Sequence, residues 1–225
     1  MLDIRPGVVA VIGAGGKTTL VRALAEELAG VMVAARPARV VVATSTKMFV
    51  PDWCPVLLDA SLDEVRAALA AHSIVCVGAV HEPTGKLAAP ALAFSDLAAL
   101  ADYVLVEADG AKMLPLKAHA GHEPVIPSCA RRIVCVVGVD GVGKPVSETC
   151  HRAETFARLA GVSPDALVTP EAVAAVLNAE ALHDAVLINK VHAAADWQAA
   201  ERIAALLRTP VFAGSLWEEE FRCLR

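Results

Sequence analysis

Residues 13–19 read Gly-Ala-Gly-Gly-Lys-Thr-Thr, directly after the apolar run 8–12. That order of residue types suits a bound phosphate. Glycines let backbone N–H groups close on the oxygens, a helix starting near Thr18 adds its N-terminal dipole, and Lys17 brings a cation. Thr18 has the hydroxyl that such loops place on Mg2+. A full G-x-x-x-x-G-K-S/T loop would need glycine at position 11, where this chain has Val11, so the loop is the shorter G-x-x-G-K-T-T. The candidate nucleotide-binding residues are Gly13, Ala14, Gly15, Gly16, Lys17, Thr18 and Thr19. A plain strand-to-helix bend would not call for this run of residues between a buried strand and an amphipathic helix.

A phosphate loop also needs an acidic group at a neighbouring strand end to hold magnesium. The apolar run 103–107 ends in Glu107, with Asp109 just beyond it, so Thr18, Glu107 and Asp109 are the candidate Mg2+ residues. Asp109-Gly110 would equally make a good turn, and the two roles are compatible.

The elements that must position these groups are short β-branched runs alternating with Ala/Leu-rich segments. The runs at 8–12, 40–43, 74–77, 103–107, 133–137, 185–188 and 210–213 are mostly apolar on successive residues, as in strands buried on both faces of a parallel sheet. Segments 18–28, 62–72, 92–100, 151–159 and 196–207 carry apolar residues at helical spacing. This β-α rhythm predicts a three-layer α/β fold with a mainly parallel sheet, of the kind built around P-loops, in a single domain spanning 1–225. Two Pro-initiated pieces within 163–182, PDALV and PEAVAAVLNAEAL, predict a small helical insertion. Residues 108–130 are rich in proline and polar groups and follow a strand, where ligands of open α/β sheets bind.

Composition narrows the partners. With 56% apolar and 20% charged residues the chain is not a disordered one. A net charge of −5, without any basic stripe, argues against a nucleic-acid partner. No apolar run reaches the roughly 18 residues of a membrane span, and the N-terminus lacks a basic leader region, so a cytoplasmic protein with no membrane partner is expected. The six cysteines form no C-x-x-C pair, which excludes a zinc ribbon and predicts free thiols.

The blocks GAGGKTT (13–19), ATSTKMF (43–49), VEADGAKMLPLKAHAGHEPVIP (106–127), VGVDGVGKP (137–145) and HRAE (151–154) together resemble the selenium-dependent hydroxylase accessory protein family called YqeC. The resemblance runs nearly end to end, and the central block is far more specific than any phosphate loop. It implies a P-loop protein associated with maturation of selenium-dependent molybdenum hydroxylases. The implied partners are such a hydroxylase or its maturation factors, with a homodimer left open. It implies no settled reaction.

Chemistry assigns the remaining candidates. Thr44, Thr46 and Lys47 follow the second strand and would reach the same sheet edge. Lys112 and Lys117 flank Pro115 and could act near a γ-phosphate as an internal arginine finger does. In His122-Glu123-Pro124, His122 could orient water or an acceptor and Glu123 could be a base or metal ligand; a loop-pinning pair is the plain alternative. The candidate catalytic set is thus Lys17, Asp109, Lys112, His122 and Glu123. Asp140 and Lys144 close a further strand, while His151 and Arg152 open a helix at which phosphate contact or capping are both open. Asn189-Lys190-Val191-His192 resembles the N-K-x-D element of GTPases, which makes Asn189 and Lys190 further candidate nucleotide-binding residues that would frame a purine; His192 stands where the guanine-reading aspartate belongs, which leaves ATP and GTP both open. The expected function is Mg2+-dependent NTP hydrolysis in an accessory role. The alternatives are an NTP-dependent phosphotransferase or ligase acting on a selenium species or cofactor precursor, and a non-enzymatic nucleotide-sensing scaffold.

Overall fold

Successive apolar residues form strands here because helices cover both faces of the sheet. The computed structural model describes residues 2–225. Its central sheet has eleven strands. From one edge the order is Glu220–Cys223, Val211–Ser215, Ala185–Asn189, Ala130–Gly138, Gly7–Gly13, Tyr103–Glu107, Val40–Thr44, Ile74–His81, Lys86–Ala88 and Lys47–Met48, with Val56–Leu58 also paired to Ile74–His81. Neighbours from Val211–Ser215 across to Ile74–His81 run parallel, and the short strands Glu220–Cys223, Lys86–Ala88 and Lys47–Met48 towards the two edges pair antiparallel.

The first strand is central, and its side chains alternate between two cores. Val9 and Val11 pack with Leu20, Leu24 and Leu28 of the helix Lys17–Ala29. Ala10 and Ile12 face the opposite layer, built from the helices Ala153–Ala160, Pro170–Glu180 and Ala194–Leu206. Val8, Val104 and Val106 meet the helices Leu62–Ala71 and Phe94–Leu100. The molecule is therefore a three-layer α/β structure with a mostly parallel sheet. Among the described residues, no helix is long and apolar enough to cross a membrane.

The Pro-rich stretch after Ser163 departs from expectation. Only Pro170–Glu180 is helical; Thr169 caps it through the Ala172 N–H, with Pro170 in its first turn. Residues 164–168 instead form a turn closed from the Ala166 N–H to the Ser163 carbonyl and then an extended pairing with residues 143–147. Strand-like bonds from Gly143 N–H to the Val168 carbonyl and from Val168 N–H to the Lys144 carbonyl, each 2.8 Å, hold PDALV out of a helix. The helix expected from 151 begins at Ala153, because Cys150–His151 pairs with Leu116–Lys117 as a small parallel ladder and Arg152 turns left-handed (φ 65°).

Candidate functional site

The turn from the first strand into the first helix is possible only with glycine. Gly13 has φ 93°, and a Cβ there would meet the Val136 carbonyl and lie 2.9 Å from Cys135 Sγ. Gly15 has φ 81°, and a Cβ would fall 2.5 Å from Gly138 Cα. The loop is thus pressed against the end of the Ala130–Gly138 strand. Ala14 N–H donates to the Val136 carbonyl at 2.9 Å, whereas among the described residues the N–H groups of Gly15, Gly16, Lys17 and Thr18 have no acceptor. They point out of a helix start, where the macrodipole is positive.

Lys17 is only 6% exposed, a costly place for an ammonium unless it is paired. Its Nζ donates to the Gly13 carbonyl at 2.7 Å and lies 3.0 Å from Asp109 Oδ1. Asp109, fully buried, also accepts from Gly13 N–H (2.8 Å) through Oδ2. Thr18 Oγ1 donates to Glu107 Oε2 at 2.7 Å. The two carboxylates at this strand end therefore divide: Glu107 faces the threonine, and Asp109 holds the lysine and the loop. Burial raises the Glu107 pKa, with Asp109 adding to the rise and Lys17 and Thr18 opposing it. Burial pushes Asp109 the same way but is overcome by the His119 hydrogen bond, Lys17, Lys117 and Gly13 N–H, which keep its carboxyl below the ordinary range.

Behind Asp109 runs a buried polar chain that the sequence reading did not anticipate. His119 Nε2 is 2.7 Å from Asp109 Oδ2, and its Nδ1 is 2.7 Å from Glu180 Oε2 at the end of the Pro170–Glu180 helix. Glu180 Oε1 also accepts from His119 N–H at 2.6 Å. Burial disfavours the imidazolium, but the two carboxylates outweigh it and raise the His119 pKa, which favours the protonated ring between them. The sequence offers two histidines three residues apart, and the one chosen from it, His122, is exposed on the loop surface. A hint was available in Glu180: it stands at the C-terminal end of a helix, where a carboxylate opposes the dipole and favours a cation nearby.

A second chain lies outside the first. Lys117 is buried, donates to the Gly110 carbonyl at 2.6 Å, pairs with Glu123 and lies 3.5 Å from Asp109 Oδ2. Glu123 also pairs with Arg152, whose Nη2 is 3.3 Å from His122 Nε2. Burial alone would raise the Glu123 pKa; Lys117 and Arg152 override it and hold the carboxyl low. His151 is driven the other way by burial, with Lys117 next in effect, and so favours the neutral ring.

The other candidates divide between props and surface. Thr44 Oγ1 donates to the Glu107 carbonyl at 2.8 Å and accepts from Thr46 N–H, bracing the strand end, while Thr46 Oγ1 is buried without a partner among the described residues. Asn189 is consumed structurally: Nδ2 donates to the Gly15 carbonyl (2.8 Å) and Oδ1 accepts from Leu216 N–H (2.9 Å). Lys190 pairs with Asp140 at 2.8 Å. Thr19, Lys47, Lys112 and Lys144 are exposed. Among the described residues, no three His, Cys, Asp or Glu side chains group as a metal site.

What these features define first is a class: a three-layer α/β protein of the open-sheet type, with its polar residues gathered beyond the carboxyl ends of the strands. The model of the YqeC protein family matches residues 9–154, and the chain belongs to that family. It is 35% identical over 168 residues to "Uncharacterized protein YqeC" of Escherichia coli (strain K12), a match covering 72% of this chain and 64% of the relative. The family match takes in the glycine-rich turn and both chains of charge as far as Arg152; Glu180 and Asn189 lie beyond it.

Proposed function

We propose that this protein binds a Mg-nucleoside triphosphate, ATP or GTP, on residues 13–19 and hydrolyses it in an accessory role in maturation of selenium-dependent molybdenum hydroxylases. The supporting observation is the set of N–H groups without acceptors from Gly15 to Thr18, arranged around a buried lysine. Such a nest at a helix start is an anion site.

In this role Lys17 exchanges part of its bond to Asp109 for phosphate oxygen, and Asp109 fixes where its ammonium stands. Thr18 Oγ1 and the Glu107 carboxylate are hard oxygen donors that fit Mg2+. Bound there, the ion would offset phosphate charge. Asp109 is turned to Lys17, Gly13 and His119, which suits an anchor better than a metal ligand. Arg152, by releasing Glu123, would add a cation at the loop mouth, and His122 beside it would orient water. Water oxygen then bonds to the γ-phosphorus as the bond to the β–γ bridging oxygen breaks, giving diphosphate nucleotide, phosphate and a proton. Glu123 is tied to two cations and is a poor base, so intrinsic turnover is slow and a partner stimulates it.

A second reading is favoured by the exposure of the His122 side chain, 74%, at that mouth. There it would receive an acceptor, and the protein would be a phosphotransferase or ligase. Phosphate release by purified protein, alone and with a hydroxylase maturation factor, tests the first reading. Release stimulated by the factor and abolished by Lys17→Ala supports it; nucleotide consumption only with a small acceptor transfers support to the second.

A further inference from the structure

Trp217 is 89% exposed, the most open large apolar side chain among the described residues. The other two tryptophans are partly covered, Trp53 with Arg22 over its ring at 5.7 Å and Trp197 with Arg222 at 4.1 Å. A lone exposed apolar side chain is ordinary; its placement is the informative part. Trp217 lies just past the carboxyl end of the Val211–Ser215 strand, on the same sheet edge as the glycine-rich turn. Both of its neighbours are anchored. Leu216 N–H donates to Asn189 Oδ1, and the same amide donates from Nδ2 to the Gly15 carbonyl, so one side chain ties the tryptophan loop to the glycine loop. Leu216 Cδ1 would stand 3.6 Å from a Cβ on Gly16, which puts the two loops in contact. On the other side Glu218 N–H donates to Ser215 Oγ at 3.2 Å, and Glu218 pairs with His192 at 3.0 Å.

We propose that Trp217 is the platform on which the purine ring of the nucleotide stacks. This rests on the nucleotide reading above and adds the base subsite to it. A triphosphate held on residues 13–19 leaves its ribose and base to extend from the helix start, and the tryptophan loop is what borders that start. An indole on a backbone fixed at both neighbouring residues gives a flat apolar face at small entropic cost.

The same geometry sets the selectivity. Asn189, the expected purine contact, has its amide committed to Gly15 and Leu216. Lys190 is committed to Asp140, and position 192 is a histidine paired with Glu218. Recognition therefore falls to stacking, which tolerates any base but favours the larger ring. ATP and GTP should bind within a few-fold of each other, and UTP more weakly.

Titration of wild type, Trp217→Ala, Trp217→Phe and Lys17→Ala with Mg-ATP, Mg-GTP, Mg-UTP and Mg-tripolyphosphate tests this. Base stacking is worth about 1–3 kcal/mol by alanine substitution, so Trp217→Ala should weaken both purine nucleotides by roughly tenfold or more. Trp217→Phe should lose much less, and tripolyphosphate affinity should not change in either variant. Tryptophan emission should be quenched by ATP and not by tripolyphosphate, and the quench should vanish in Trp217→Phe. If Trp217→Ala binds ATP as wild type does while Lys17→Ala does not, the platform is refuted and the nucleotide reading stands. Equal weakening of tripolyphosphate would show that Trp217 merely supports the loop, which also refutes it. If wild type binds neither ATP nor tripolyphosphate, both ideas fall together.

Discussion

His119→Ala should be the most informative change to stability, because it cuts the buried chain between the glycine loop and the Pro170–Glu180 helix. The His119 side chain is 4% exposed and makes two charge-assisted bonds of 2.7 Å. Hydrogen bonds to charged groups contribute about 1.5–3 kcal/mol each, which sets an upper limit of about 6 kcal/mol. The stranded carboxylates keep other partners. Asp109 retains Gly13 N–H, Lys17 and Lys117, and Glu180 retains the backbone N–H at 119. The loss should therefore be about 3 kcal/mol. With a urea slope of about 2–3 kcal/mol/M, the unfolding midpoint should fall by roughly 1 M. His122→Ala is the control, since an exposed histidine should cost within about 0.5 kcal/mol. The pH dependence has a definite sign. The His119 pKa is raised by its two carboxylates against burial, so its contribution is complete below the unfolded value of about 6.5 and is lost as pH rises through the folded one. The gap between wild type and His119→Ala should narrow on going alkaline. Equal midpoints for His119→Ala and His122→Ala, or a gap that widens with pH, would refute the reasoning.

Other changes probe the turn, the metal side and the thiols. Gly15→Ala, at φ 81° with Gly138 Cα 2.5 Å from the new Cβ, should cost about 2 kcal/mol or more in urea unfolding and weaken nucleotide binding. Calorimetry with Mg-ATP should show affinity falling as pH drops through the raised Glu107 pKa, above the ordinary glutamate value of about 4.3, because the protonated acid cannot ligate Mg2+. Glu107→Gln should remove that dependence. Thiol titration at neutral pH should label exposed Cys223 first; burial pushes Cys54 and Cys150 up to about 11, and Cys76 and Cys135 should react only on unfolding.

The sheet was legible because its inner strands have no polar face. Val8 to Ile12 and Val40 to Thr44 are buried throughout, and an unbroken apolar run has no other stable place in a small α/β protein. The edge strand Glu220–Cys223 was not anticipated, since pairing on one side only leaves it largely in water and without an apolar run. That Thr18, Glu107 and Asp109 share one sheet edge followed from their places at the ends of two adjacent strands; that Asp109 there holds Lys17 did not, because the sequence assigns both to Mg-phosphate. His119 did not, because what distinguishes it from His122 is Glu180, 61 residues further along and brought close only by tertiary packing. Asn189 was read from its resemblance to a base-contacting motif. Its amide was already required by two backbone groups, one of them at Leu216 in a hairpin whose position the sequence does not reveal.

The proposed function stands on the buried lysine and the open N–H groups of the turn acting as a phosphate site. Calorimetric titration of the full chain with Mg-ATP and Mg-GTP, beside Lys17→Ala, tests it most directly. Wild type should bind at least one nucleotide saturably, and Lys17→Ala should lose that binding while its unfolding transition remains cooperative. No heat from either nucleotide at millimolar concentration, or binding that survives Lys17→Ala undiminished, would contradict it.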